Sequence, residues 1–126
     1  ISIRENVGLL AYSPLAAGIL TGKYFDGKMP KGSRMALFGN RYPRYKTLHA
    51  EIAAKKYHEV ASKHGLNPCQ MAIKFCEIQK FVSSVIIGQT TMEQLKINLD
   101  SMSLKLDEEV IKDINDIQII YSNPCP

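Results

Sequence analysis

Apolar residues along this chain fall into two kinds of pattern, short uninterrupted runs and longer stretches at helical spacing. Val7-Gly8-Leu9-Leu10-Ala11-Tyr12 is a run ended by Ser13-Pro14, and Phe81 to Ile87 is a second, rich in β-branched residues, ended by Gly88. Runs of this length predict strands buried on both faces, as in a parallel sheet. Residues 48–64 carry Leu48, Ile52, Ala53, Tyr57, Val60 and Ala61 on one helical stripe, closed by Gly65. A second helix starts at once, with Asn67 as N-cap, Pro68 in the first turn and Gln70 completing a capping box, and with Met71, Ala72, Phe75 and Cys76 inward. Thr90 and Glu93 predict a capping box for a third helix with Met92, Leu95 and Leu99 on one face. Asp107 then caps a last helix with Val110, Ile111, Ile114 and Ile117 inward and a Leu106–Ile111 staple, leaving residues 119–126 as a tail without pattern.

Between the first strand and the first helix the periodicity stops. Residues 23–46 contain Gly27, Pro30, Gly32, Gly39 and Pro43 and read as a long loop, with Tyr24, Phe25, Phe38, Tyr42 and Tyr45 to pack it. The charge is concentrated here. Residues 1–49 hold eight Lys/Arg and two Asp/Glu, whereas residues 50–126 hold eight and ten. A solvated basic loop accounts for this; an anionic ligand is the sharper reading.

The order strand, long loop, two helices, strand, helix, helix predicts a parallel α/β sheet. Two strands buried on both faces need neighbours, so the chain is expected to be part of a larger domain. The 126 residues, 45% hydrophobic and 22% charged with a net charge of +4, have the profile of a globular domain, and the charge demands no nucleic acid. No apolar run approaches the ~18 residues of a membrane span. Three cysteines do not make a disulfide framework, and Cys69 and Cys76, about 10.5 Å apart along one helix, cannot pair. A reducing, cytoplasmic compartment is expected.

Few motifs carry chemistry by spacing alone. Gly18-Ile19-Leu20-Thr21-Gly22-Lys23-Tyr24 misses a phosphate-binding P-loop by one residue between its glycines and by the absent Ser or Thr after the lysine. No G-x-G-x-x-G is present. His49, His58, His64 and the cysteines show no metal-ligand spacing, so no metal site is expected and the histidines read as solvent-facing. Gly88-Gln89-Thr90 lies where a strand ends and a capped helix begins, which suits an anion as well as an ordinary cap.

Ala11-Tyr12-Ser13-Pro14-Leu15-Ala16-Ala17-Gly18-Ile19-Leu20-Thr21-Gly22-Lys23-Tyr24 resembles the segment after strand seven of the aldo-keto reductases, most of all the branch that includes the potassium-channel β subunits. Val85-Ile86-Ile87-Gly88-Gln89-Thr90 with Glu93, Gln94, Leu95 and Asn98 resembles the same family's strand-eight to helix-eight segment, and Gln70-Met71-Ala72-Ile73 falls in its intervening helix. The resemblance implies that residues 1–126 are the C-terminal quarter to third of a (β/α)8 TIM barrel, strands seven and eight with their helices. It implies an NADP site, favoured over NAD. Tyr12 would stack on the nicotinamide, and Ser13, Pro14, Leu15, Ala16 and Gly18 would line the pyrophosphate path. Lys23 and Arg34 would hold phosphate oxygens. Gly88 and Thr90 would meet the 2′-phosphate, and Gln94 and Asn98 would reach the adenine end from one helix face. The family's catalytic Asp, Tyr, Lys and His lie upstream, so no catalytic residue is expected here. The intact protein would reduce aldehydes or ketones, and the chain alone would be inactive. A nucleotide-sensing auxiliary subunit with little turnover, and a nucleic-acid binder using the basic segment, are the other classes considered.

Overall fold

The computed structural model describes all 126 residues. Two strands, β1 (Leu9–Tyr12) and β2 (Val82–Ile86), pair in parallel with Tyr12 opposite Ile86 and an irregularity between Leu9 and Leu10. Between them lie α1 (Arg34–Phe38), α2 (Leu48–Lys63) and α3 (Pro68–Glu77). After β2 come α4 (Met92–Asp100) and α5 (Glu108–Ile120). The chain is thus α/β with a parallel pair, as expected, and the four longer helices fall within one or two residues of their expected positions.

The core sits between helices. Val60 and Ala61 of α2, Met71 of α3, and Val110, Ile114 and Ile117 of α5 form one buried cluster, flanked by Tyr57, Leu66, Phe75, Leu106 and Tyr121. A second joins Ile19, Tyr24, Met35 and Ala54 and clamps the segment after β1 onto α2. Small residues on α2 (Ala50, Ala53, Ala54 and Ala61) allow these close approaches and take over the stripe from Leu48, which is 73% exposed.

The strands are not buried on both faces. Leu9, Leu10, Tyr12 and Ile86 are 42%, 59%, 71% and 50% exposed, because each strand has one neighbour and nothing covers the rest. Gly8 lets the strands close up: a Cβ there would collide with the Ser83 side chain.

Local chemistry corrects several expectations. The third-helix cap is Thr91, one residue later than expected; its side-chain oxygen accepts from the Gln94 N–H at 3.2 Å. Met92 and Leu99 are 78% and 49% exposed, while Asn98 is the buried residue of α4, at 5%. This face is turned toward α3, where Gln70 donates to the Ile97 carbonyl at 3.2 Å instead of closing a capping box. Asn67 does cap α3, accepting from Cys69 and Gln70. Asp107 has N-cap backbone geometry but no side-chain cap bond; Glu108 and Glu109 supply the favourable charge in the first turn of α5. The tail begins only after Ile120, because α5 runs two residues further than expected, and it is tied down by a Thr47 hydroxyl that donates to the Pro124 carbonyl at 2.7 Å.

Residues 23–46 are more regular than a loop. Phe25–Gly27, Gly39–Arg41 and Pro43–Lys46 form 3₁₀ turns around α1. The Met35 N–H donates to the buried Tyr24 hydroxyl at 3.3 Å, and Ser33 caps α1 by accepting from Ala36. Tertiary burial of Tyr24 and Met35, rather than local periodicity, orders this stretch.

Candidate functional site

Because Tyr12 lies opposite Ile86 in a parallel pair, the segments that leave the carboxyl ends of β1 and β2 emerge side by side. In open α/β sheets and (β/α)8 barrels this is the end where ligands bind. Residues 13–23 and 88–94, singled out from separate parts of the chain, both leave the same end of the sheet.

The first segment has an unusual backbone. Ser13 (φ 59°), Ala16 (φ 48°), Ala17 (φ 56°) and Gly18 (φ 96°) all occupy the left-handed region, three of them without being glycine. Such conformations cost on the order of 1–3 kcal/mol each and cluster where a chain is shaped around a ligand. Local hydrogen bonds hold the shape. Gly18 N–H donates to Leu15 O at 2.8 Å, the Thr21 hydroxyl donates to Gly18 O at 2.7 Å, and Lys23 N–H donates to the Thr21 hydroxyl oxygen at 3.4 Å.

These bonds set Lys23 beside Gly18. A Cβ at Gly18 would lie 3.1 Å from Lys23 Cε and 3.3 Å from its Nζ, so the missing side chain is what lets the ammonium approach the backbone. Lys23 forms no ion pair with any carboxylate of the chain. Its Nζ rests 5.2 Å from the Tyr24 ring centroid. It also faces the start of α3: burial pushes the Cys69 thiol up, and the Lys23 charge opposes this. An unpaired cation over a left-handed backbone is chemistry suited to phosphate oxygens.

Arg34 stands exposed at the start of α1, linked to the same region because its neighbour Met35 donates to the Tyr24 hydroxyl. Arg34 also has no carboxylate partner, nor do Lys28, Lys31, Arg41, Arg44 and Lys46. Arg41 and Lys46 line a hollow of about 420 Å3 with residues 35–40, beyond the cradle.

On the second segment, Gly88 and Thr90 are exposed, and a Cβ at Gly88 would meet nothing within 4 Å. Gln94 Oε1 accepts from the Thr90 N–H at 2.9 Å and from its hydroxyl at 3.3 Å. Thr90 and Gln94 are therefore together at the sheet's carboxyl end. Asn98 is not with them; it is turned inward, one turn further along α4.

Sequence reasoning missed three participants. His58 of α2 is half-buried rather than solvent-facing. Its Nε2–H donates to the Leu20 carbonyl at 3.0 Å, its ring packs edge-on against Phe25 at 4.8 Å, and it abuts Gly22 (φ 77°), where a Cβ would lie 2.5 Å from its Cε1. Ala17 carries part of the left-handed turn, and no residue-type signal marks it. Arg44 donates from Nη2 to the Tyr45 hydroxyl at 3.1 Å. Basic character marked the region of Arg44 but not the residue.

Elsewhere, His64 contacts Asp113 at 2.8 Å, and Lys63 bridges Asp113 (2.7 Å) and Glu109 (3.2 Å), so His64 too is not solvent-facing. His64, Glu109 and Asp113 converge closely enough to hold an ion, but the Lys63 ammonium already bridges the two carboxylates. The three cysteines are free thiols. No helix is long and apolar enough to cross a membrane.

Comparison with known proteins bears on the same segments. Residues 3–119 match the family model described as "Aldo/keto reductase family". The chain is 44% identical over 126 residues to "Protein tas" of Escherichia coli (strain K12), covering all of this chain and 36% of that protein. It is 34% identical over 123 residues to a "Probable voltage-gated potassium channel subunit beta" of Arabidopsis thaliana, covering 95% and 37%. It is 36% identical over 103 residues to an "L-glyceraldehyde 3-phosphate reductase" of E. coli (strain K12), covering 79% and 30%. The chain spans about a third of the length of these curated relatives.

Proposed function

The chain belongs to the aldo/keto reductase family, and from that premise we propose that it is the cofactor-holding portion of an NADPH-dependent reductase of aldehydes or ketones. The observation that carries this reading is the Ser13–Lys23 cradle, in which four left-handed residues and the absent Gly18 side chain admit an unpaired Lys23 ammonium. In the proposal Ser13, Pro14, Leu15, Ala16 and Gly18 follow the pyrophosphate, and Lys23 and Arg34 neutralise its charge. Tyr12, exposed at the end of β1, offers a flat face for the nicotinamide. Thr90 donates to the adenosine 2′-phosphate, with Gly88 leaving room for its approach and Gln94 toward the adenine; Asn98, buried against the fold, is left out of the site. When bound, NADPH supplies the hydride for the carbonyl carbon. None of the proposed residues supplies the proton; the family's acid and its partners belong to the part of a (β/α)8 barrel that precedes this chain in its relatives.

The full barrel is likewise proposed. Its support is the pair of strands with open edges and uncovered apolar faces, which six further strands and their helices would cover. The three free cysteines favour a reducing, cytoplasmic setting.

Relatives named as reductase and as channel subunit leave two versions of one binding site, a turning-over enzyme and a nucleotide-sensing auxiliary protein. The cradle would hold the nucleotide in either case, and the two differ in the fate of the hydride; the reductase version is preferred because the matching family model is described as one of reductases. The test is to titrate NADPH into the intact protein, follow its fluorescence, then add an aldehyde and follow absorbance at 340 nm. Binding with turnover supports the reductase, binding without turnover the auxiliary protein, and absence of binding overturns both.

A further inference from the structure

A second place in the fold repeats the chemistry of the cradle. Helix α1 and the two 3₁₀ turns after it, Gly39–Arg41 and Pro43–Lys46, surround a hollow of about 420 Å3. Met35 and Gly39 are its buried members; Leu37 and Phe38 give it an apolar wall, and Arg41 and Lys46 a charged one. The Arg41 guanidinium carbon lies 5.5 Å from the centroid of the Phe38 ring. A Cβ at Gly39 would lie 3.3 Å from Lys46 Nζ, so this ammonium rests against bare backbone, as that of Lys23 does at Gly18. Neither Arg41 nor Lys46 pairs with a carboxylate of the chain.

The hollow is not a gap between elements that further strands of a barrel would fill, because every wall of it comes from residues 35–46. No residue of the Ser13–Lys23 cradle lines it either. The two places share a partition: Met35 lines the hollow and donates its N–H to the Tyr24 hydroxyl at 3.3 Å, while Lys23 Nζ rests 5.2 Å from the centroid of the Tyr24 ring. A compound being reduced has to meet the nicotinamide, which is proposed to stack on Tyr12, and Tyr12 does not line the hollow. A ligand held there is therefore a bystander to hydride transfer.

Two unpaired positive charges at one hollow favour a dianion over a monoanion. The guanidinium supplies a planar fork of N–H donors and the ammonium a point charge, a combination suited to the oxygens of a phosphate. The Asn40 side chain, also at the hollow, adds two amide N–H donors. We propose that the Arg41–Lys46 hollow is a second anion site, separate from the cofactor cradle, that binds a phosphate dianion, free or carried on a small ester, while the cofactor is in place. Leu37 and Phe38 offer the body of an ester an apolar surface.

The experiment titrates inorganic phosphate, phenyl phosphate and acetate by calorimetry into the intact protein saturated with NADP+, at constant ionic strength. Wild type should bind phosphate more tightly than the monoanion acetate. Arg41→Ala and Lys46→Ala should each weaken phosphate binding by about ten- to a hundredfold, the range of a charge-assisted hydrogen bond. Both should leave the NADPH dissociation constant and the unfolding midpoint as in wild type. Lys112→Ala, a cation paired with Asp116 on α5, controls for net charge and should leave phosphate binding unchanged. Tighter binding of phenyl phosphate than of inorganic phosphate assigns the hollow to an ester, and equal binding assigns it to the free ion; either supports the site.

Absence of phosphate binding in wild type, or binding that neither variant weakens, overturns the proposal. So does an equal loss of NADPH affinity in the two variants, which would make the hollow part of the cofactor site. Phosphate inhibition of benzaldehyde reduction that is competitive with the aldehyde and lost in Arg41→Ala would make it part of the substrate site, and overturns the proposal as well. Failure of wild type to bind NADP+ would fall on the cofactor reading alone; the same two variants then decide this proposal in the cofactor-free protein.

Discussion

His58 and Leu20, 38 positions apart, are joined by a 3.0 Å hydrogen bond from the imidazole Nε2–H to the backbone carbonyl. The carbonyl can only accept, so Nε2 carries the proton. The bond fastens the segment after β1 to α2, and the same ring packs on Phe25 and fills the space beside Gly22. A cradle built from strained backbone needs such an external fastening.

His58→Ala should therefore loosen the cradle as well as destabilise the protein. Losing the hydrogen bond and the aromatic contact should cost about 1–3 kcal/mol of stability. NADPH affinity should fall although His58 is not proposed to touch the cofactor. Denaturant unfolding and NADPH titration of the intact protein measure the two effects. Lost stability with undiminished NADPH affinity would show that α2 does not hold the cradle.

Two glycines provide a matched comparison. Gly22 (φ 77°) and Gly65 (φ 64°) both have left-handed backbones, but a Cβ at Gly22 would strike His58 while one at Gly65 would meet nothing within 4 Å. Alanine at either should cost about 1–2 kcal/mol from backbone strain. Gly22→Ala should cost more, through displacement of His58, and should weaken NADPH binding. Equal melting-temperature shifts would contradict the assigned contact.

The start of α4 separates a cap from a ligand contact. Thr91→Ala should lower stability by about 1 kcal/mol, since its oxygen caps the helix. Thr90→Ala should lower it less and fall on NADPH binding more than on NADH binding, because only NADPH carries the 2′-phosphate. Thermal unfolding and parallel titrations of the two cofactors decide this. Equal weakening of NADH and NADPH by Thr90→Ala would remove Thr90 from the 2′-phosphate site.

Acid stability should depend on the α2–α5 junction. Lys63, and after it His64, hold the Asp113 carboxyl below the ordinary aspartate value of 3.8. A depressed folded-state pKa contributes stability that is fully present above the unfolded value and lost as pH falls through the folded one. Asp113→Asn should accordingly lower the melting temperature at pH 5 to 7 and make its fall below about pH 4 shallower. Parallel acid limbs in mutant and wild type would count against the pairing.

Much of this architecture is legible in the residues. The uninterrupted runs around Leu10 and Val85 mark the strands, and Gly65, Asn67 and Pro68 mark one helix end and the next start. Signals of that kind act within a few residues. What was not legible depends on contacts across the chain. Alanine has no preference for the left-handed region, so the turn at Ala16 and Ala17 is imposed by its surroundings. Thr90 and Thr91 are equally good caps by type, and the backbone chose the second. Asn98 is polar yet buried, which no hydrophobic pattern predicts, and Met35 is buried through a tyrosine hydroxyl 11 residues away. The site segments were readable from family resemblance, whereas the supports of the cradle, His58 above all, were not.

The central claim is that the Ser13–Lys23 cradle holds the phosphates of NADPH, and Lys23 tests it most directly. In the intact protein Lys23→Ala should weaken NADPH binding by about ten- to a hundredfold, through loss of a charge-assisted contact of about 1.5–3 kcal/mol. Its effect on stability should be small, because Lys23 pairs with no carboxylate. The measurement is a fluorescence titration of NADPH into wild type and Lys23→Ala, with unfolding curves recorded on both. Weakened binding with an unchanged unfolding midpoint is the predicted result; equal dissociation constants would contradict the account.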